Sequence, residues 1–110
     1  MYLYLLDKNE FMKPRIIKIA YVGFGIVSQG LAKIILENNS VLPGVKKLEI
    51  QTVGILDIIK GSKIDVKGIN MQIMLENTNK DDYSLLTENI LDISKAIQEV
   101  NADIIIEASF

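Results

Sequence analysis

Gly23, Gly25, Ser28 and Gly30 follow directly on the apolar run Ile16–Val22, in the order Gly-x-Gly-x-x-Ser-x-Gly. Small residues at this spacing, between a strand and a helix, suit the holding of a phosphate. The first glycine lets the chain turn sharply out of the strand. The second carries no side chain, so a pyrophosphate can approach the backbone. The N–H groups freed at the helix start, with the positive end of the helix dipole, then stabilise the phosphate charge. The third small position serves close helix–strand packing. Here it is Ser28, whose added CH2OH group is expected to widen that contact slightly. Gly30 falls inside the helix, where glycine costs about 1 kcal/mol against alanine, and close packing is the expected reason for it. The same glycine pair also makes a tight turn in any α/β domain, and spacing alone leaves both readings open.

Asp57 is the second position that suggests chemistry. It ends the apolar stretch Leu48–Leu56, where a dinucleotide-binding domain of the Rossmann type places the carboxylate that binds ribose hydroxyls. Such a carboxylate accepts from the 2′- and 3′-hydroxyls and repels a 2′-phosphate, which favours NAD over NADP. Lys60, three residues on, would offset that preference by pairing with a 2′-phosphate. Asp57 lies 34 residues after Gly23, against a usual separation of roughly 20. An enlarged loop over Asn38–Lys47 accounts for the excess. The plain alternatives are a strand-terminal aspartate that makes a turn and a solvated loop lysine.

The chain contains neither cysteine nor histidine. Disulfides, thiol nucleophiles, Cys/His zinc sites and a histidine general base are therefore excluded. The lack of cysteine fits a cytoplasmic protein. Twelve basic residues face fourteen acidic ones, for a net charge of −2, which gives no reason to expect nucleic acid or an anionic membrane as a partner. The sequence holds no apolar run of about 18 residues that would span a bilayer. The apolar opening Met1–Leu6 is too short for a signal peptide and lacks a basic stretch ahead of it.

The elements that position these residues follow from hydrophobic period. Ile16–Val22 reads as a strand buried on both faces, as a central parallel strand requires. Ile26–Asn38 has helical period, with Val27, Leu31, Ile34 and Ile35 on an inner face and Gln29, Lys33 and Glu37 opposite. Asn38-Asn39-Ser40 and Pro43-Gly44 punctuate the chain before a second strand, Leu48–Leu56. Lys60-Gly61-Ser62 is a loop, and a short helix is expected from Asp65 to about Asn77, carrying Ile69, Ile73 and Met74. Asn77–Asp82 is polar and reads as mobile. Tyr83–Leu91 has no clear period, and Asn89-Ile90-Leu91 is a candidate short strand. Asp92 suits the N-cap of a helix through Val100, with Ile93, Ala96, Ile97 and Val100 inward. Ala102–Glu107 is a further buried strand. Strands alternating with helices predict an α/β domain with a parallel sheet and right-handed crossovers. Residues Met1–Pro14 have no period. They read equally as a short strand or arm, or as sequence ahead of a natural start at Met12.

These motifs together resemble one family. Gly23-Phe24-Gly25-Ile26-Val27-Ser28-Gln29-Gly30 resembles the glycine loop of homoserine dehydrogenases, commonly Gly-Phe-Gly-x-Val-Gly-x-Gly, in which Gly30 has its counterpart. The enlarged loop before the second strand, and Asp57 followed closely by Gly61, also fit. Asp65-Val66-Lys67-Gly68-Ile69-Asn70 resembles the family's Asp-x-x-Gly-Leu-Asp. Ala102–Ser109 resembles Ala-Asp-Val-Val-Val-Glu-Ala-Thr. Ser28 departs at the third glycine, and Phe110 stands where the family usually has proline. The resemblance covers roughly Ile16 to Phe110. It implies a Rossmann-type sheet with helices on both faces, of which residues 15–110 are the front part, and a role with NAD or NADP in interconverting L-homoserine and L-aspartate 4-semialdehyde, on the route to threonine and methionine. The candidate cofactor contacts are Gly23, Phe24, Gly25, Ile26 and Val27 around the loop, Asp57 and Lys60 after the second strand, and Ser109, which keeps a hydroxyl at the family's threonine position.

The family's catalytic lysine and substrate-binding carboxylates lie well beyond the equivalent of Phe110, so this stretch alone is expected to be inactive. Asp103 and Glu107 are not candidates to replace them. A sheet ending at this last strand is also expected to leave Ile104, Ile105 and Ile106 partly exposed. Three such side chains, each worth roughly 1.5–3 kcal/mol when buried, matter against a domain stability of about 5–15 kcal/mol. A marginally stable or self-associating chain is the expectation. Two other readings of the glycine loop remain: a stand-alone module that senses a dinucleotide, and the cofactor domain of another dehydrogenase.

Overall fold

Arg15–Val22 forms the first strand, β1, and its alternating side chains sort the rest of the molecule into two layers. Ile19 and Tyr21 face one side, and Ala20 and Val22 face the other. In the computed structural model, which describes residues 15–38 and 48–108, β1 is followed by α1 (Ile26–Asn38), β2 (Leu48–Leu56), β3 (Lys63–Ile64), α2 (Met71–Asn79), α3 (Ile93–Val100) and β4 (Ile104–Glu107). The expectations for residues 1–14, for the loop at 39–47 and for Ser109 and Phe110 lie outside the described residues.

The sheet order is β3-β2-β1-β4. β1 runs parallel to both β2 and β4, and the two-residue β3 is antiparallel to β2. β3 is an addition to the all-parallel sheet that the sequence predicts. Two residues are too few to show a period, so Lys63–Ile64 carries no strand signal in the sequence.

Between β1 and β2 the register slips by one residue, with Ile19 opposite Thr52 but Ala20 opposite Gly54. The slip leaves Val53 as the extra residue, and a bulge of this kind bends its strand. Val53 packs with Ala20 and Val100, and the α carbon of Gly54 also faces Val100. A Cβ on Gly54 would stand 2.5 Å from Val100 Cγ2. Both residues therefore face α3, and Gly54 is where that helix comes closest to the sheet.

The larger core lies on the opposite face. Ile19, Tyr21, Phe24 and Ile55 pack there against Ala32 of α1 and Met71 and Met74 of α2, with Leu86 from the long connection. The inner face of α1 is rotated from the one its period suggests, although Leu31 and Ile35 pack against this core as expected. Ser28 and Ala32 are buried, whereas Val27 and Ile34 are more than half exposed. Two small residues let the helix sit close to the sheet, and that closeness outweighs the gain from turning the larger apolar residues inward.

α2 starts later than its apolar residues suggest. Asp65 folds the chain into a turn, accepting from Lys67 N through its side chain and from Gly68 N through its carbonyl. Gly68 has φ +105°, which no helix allows. The helix begins only after Asn70, whose side chain accepts from Ile73 N at 3.1 Å. Asp92 caps α3 in the same way, accepting from Lys95 N at 3.2 Å. Asn89-Ile90-Leu91 is not a strand. The pairing in this region is a single bridge between Glu88 and Ser62. Asn77–Asp82 ends α2 in a turn closed by Lys80 N and Asp82 N on Asn77 O and by Asp81 N on Thr78 O. At β4, Ile104 is about half exposed, while Ile105 and Ile106 pack against opposite layers.

Candidate functional site

The carboxyl ends of β1 and β2 lie side by side, and the two candidate segments meet there. Gly23 N donates to Leu56 O at 2.8 Å, which extends the pairing past the end of β1 and brings the glycine loop against Asp57. Gly23 has φ +82°, the left-handed conformation that an L side chain rarely adopts. Here the chain turns out of the sheet into α1.

The first helical bond of α1 runs from Gln29 N to Gly25 O. The N–H groups of Ile26, Val27 and Ser28 precede it and have no acceptor within the helix. They point out of the helix end at the tip of β1, with the positive end of the helix dipole. At Gly25 an added Cβ would meet nothing within 4 Å among the described residues, so the loop has open space on that side. Ile26 and Val27 are largely exposed. Phe24 faces the other way: its ring is fully buried and packs edge-on against Tyr21, with centroids 5.7 Å apart.

Gly23 and Phe24 are held at each backbone polar group. The Ser28 hydroxyl, itself buried, donates to Gly23 O at 2.7 Å. Gln29 Nε2 donates to Phe24 O at 2.9 Å and to the Tyr83 hydroxyl at 3.2 Å. Phe24 N donates to Asp57 Oδ2 at 2.8 Å. The sequence reading treats Ser28 only as a packing position and Gln29 as outward-facing. Both reach back to the loop from the first turn of α1, which is where polar side chains contact the preceding turn.

Asp57 is partly buried and accepts three backbone hydrogen bonds. Besides Phe24 N on Oδ2, Ile59 N and Lys60 N donate to Oδ1 at 2.9 and 2.8 Å. Burial pushes its carboxyl pKa up. The N–H groups of Lys60, Phe24 and Ile59 and the Lys60 charge outweigh that, and hold the pKa below the ordinary aspartate value. The Asp57 main chain is fixed as well: its N–H donates to Ser62 Oγ, and its carbonyl accepts from Gly61 N. The Lys60 ammonium lies over the Tyr83 ring, 4.7 Å from the centroid. Tyr83 thus links Lys60 to Gln29, although Tyr83–Leu91 has no readable period.

Gly30 departs from its expected role. It is exposed, and a Cβ there would touch nothing within 4 Å among the described residues. Close packing among the described residues does not account for it. Among the described residues there is no cluster of three or more metal-ligating side chains, and no helix is long and apolar enough to cross a membrane.

No protein-family model matches the sequence, and no curated protein does. Solved structures do match in shape. A hyperthermophilic archaeal homoserine dehydrogenase in complex with NADPH superposes with a TM-score of 0.68 at 20% identity over 86% of this chain. A mutant hyperthermophilic archaeal homoserine dehydrogenase, also in complex with NADPH, gives 0.66 at 23% identity over the same share. The chain spans 28% of the length of each. At these identities the likeness is one of fold: an α/β, Rossmann-type sheet with helices on both faces, overlaying part of two NADPH-bound dehydrogenases.

Proposed function

We propose that this chain is the dinucleotide-binding front part of an NAD(P)-dependent homoserine dehydrogenase. The observation that carries the reading is the opening at Gly25. A turn with positive φ at Gly23 delivers the unpaired N–H groups of Ile26, Val27 and Ser28 to the carboxyl end of the sheet, and nothing described fills the space where a Gly25 side chain would stand. Open α/β sheets bind ligands at this end of their strands. The residues present fit a pyrophosphate, because they supply hydrogen-bond donors, a helix dipole and room for the group. Gly25, Ile26 and Val27 would hold it. Asp57 and Lys60, at the adjacent end of β2, would lie toward the adenosine ribose, and Lys60 would meet a 2′-phosphate. Ser109 retains its proposed contact from the resemblance to the family.

When bound, the cofactor would supply or accept the hydride exchanged in interconverting L-homoserine and L-aspartate 4-semialdehyde. The residues that would bind the amino acid and transfer its proton are not among Arg15–Ala108 in this reading. The neighbours' fold, their bound NADPH and the ordered series of family-like motifs support it. Titrating the 110-residue chain with NADPH and NADH, by calorimetry or nicotinamide fluorescence, tests it. Saturable binding that ADP competes away is expected, with no turnover of homoserine. The absence of binding to either dinucleotide at millimolar concentration would overturn it.

A further inference from the structure

We infer that Asp57 is a positioning residue of the glycine loop, fixing the Phe24 N–H and with it the turn into α1, and not a two-oxygen clamp on a ribose diol. The inference rests on the dinucleotide reading for its ligand and on the geometry of this chain for its argument. An ionised carboxylate offers about four lone-pair sites, two on each oxygen. Ile59 N and Lys60 N occupy Oδ1, and Phe24 N occupies one site of Oδ2. A vicinal diol held in the two-pronged manner needs one acceptor on each oxygen. Only Oδ2 has a site left, so the diol could engage Oδ1 only by breaking a backbone bond of the turn.

Rotation of the side chain is opposed from both ends. Ser62 and Gly61 hold the Asp57 main chain, and the three donors hold its carboxylate. The other backbone groups of Gly23 and Phe24 are bound by Leu56 O, Ser28 and Gln29. The Asp57–Phe24 bond is thus the side-chain tie from the β2 end onto the loop that presents the helix N-terminus. Its loss falls on the part of the ligand that all these dinucleotides share, the diphosphate, and not on the ribose that distinguishes NADH from NADPH.

The variant that separates the two roles is Asp57→Asn. Its Oδ1 can still accept from Ile59 N and Lys60 N, so the turn persists, but its Nδ2 is a donor and cannot receive the Phe24 N–H. In the full chain without ligand, amide hydrogen exchange at Phe24 is expected to quicken about tenfold or more in Asp57→Asn, the scale of one lost charge-assisted bond. Exchange in α3 should be unchanged. NADH is expected to weaken by about tenfold, and NADPH also to weaken but by less, because the substitution removes a charge that repels the 2′-phosphate. Unchanged exchange at Phe24, or NADPH binding that improves while NADH binding is lost, would overturn the inference.

If Asp57→Asn loses its α3 protection, the wild-type chain decides. With NADH bound, Phe24 should stay protected, and a loss of protection would mean that the carboxylate has left the loop for the ribose. If the wild type binds neither dinucleotide, the functional reading fails, and exchange at Phe24 in the ligand-free pair still accepts or rejects the tie.

Discussion

The hydroxyl of Ser28, fully buried in the first turn of α1, donates to Gly23 O at 2.7 Å and closes the turn between β1 and the helix. A glycine at this position would pack as closely but could not make the bond. Ser28→Ala keeps the packing and removes the donor, leaving the Gly23 carbonyl without its side-chain partner. A net loss of about 0.5–1.5 kcal/mol in unfolding free energy is expected, read from urea denaturation with an unchanged slope. An unaltered midpoint would show that water replaces the hydroxyl at no cost.

Two glycines predict opposite outcomes on substitution by alanine. At Gly54 the new Cβ would stand 2.5 Å from Val100 Cγ2 and 3.2 Å from Ala20 Cβ. Val100 is β-branched and buried in a helix, so it cannot swing aside, and α3 must move. Gly54→Ala should destabilise by about 1–3 kcal/mol. Gly30 is exposed in mid-helix with open space around its α carbon. Gly30→Ala should stabilise by roughly 0.5–1 kcal/mol. Denaturant midpoints of the two variants should therefore fall on either side of the wild type. Destabilisation at Gly30 would point to a conformational need that the described contacts do not contain.

The strand–glycine–helix opening and the bounds of α1, β2 and α3 are legible because each rests on a run long enough to show a period or on a cap residue. The α1 face was less legible. Period places Val27 and Ile34 inward, but the sheet is approached through Ser28 and Ala32, and hydrophobicity does not record how closely two backbones can meet. The start of α2 depended on the positive φ of Gly68, which is a property of the fold. The site shows the same division. Gly23, Gly25 and Asp57 declare themselves by type and position. The roles of Ser28, Gln29 and Tyr83 arise from side chains reaching across turns, and a segment without period such as Tyr83–Leu91 gives no warning of them.

The hydrogen bonds to Asp57 give acid stability a definite direction. Its folded-state pKa is depressed, so its contribution is present above the ordinary aspartate value, about 3.9, and is lost as pH falls through the lower folded value. Asp82, held down by the Ser84 side chain and N–H, acts in the same direction. Melting temperature should fall as pH drops below about 4, and more gently in Asp57→Asn, with the Asp82 share remaining. Parallel profiles for the two proteins would mean that the three backbone bonds to Asp57 also form in the unfolded chain.

Tyr21 gives the opposite sign at the alkaline end. Burial pushes its phenol up to about 12, and the neighbouring Thr52 hydroxyl offsets part of that shift without standing in hydrogen-bonding geometry to it. A raised folded-state pKa means that stability is intact below the unfolded value of about 10 and is lost as pH rises through the folded one. Ultraviolet titration should therefore show a tyrosine that ionises only as the chain unfolds, and the late step should vanish in Tyr21→Phe. The same variant tests the buried hydroxyl directly. With no hydrogen-bond partner among the described residues to lose, Tyr21→Phe should leave stability within about 1 kcal/mol of the wild type or raise it, because the ring keeps its edge-on contact with Phe24. A loss above roughly 1.5 kcal/mol would mean that the phenol is hydrogen-bonded in solution, and the alkaline shift would then need a cause other than burial.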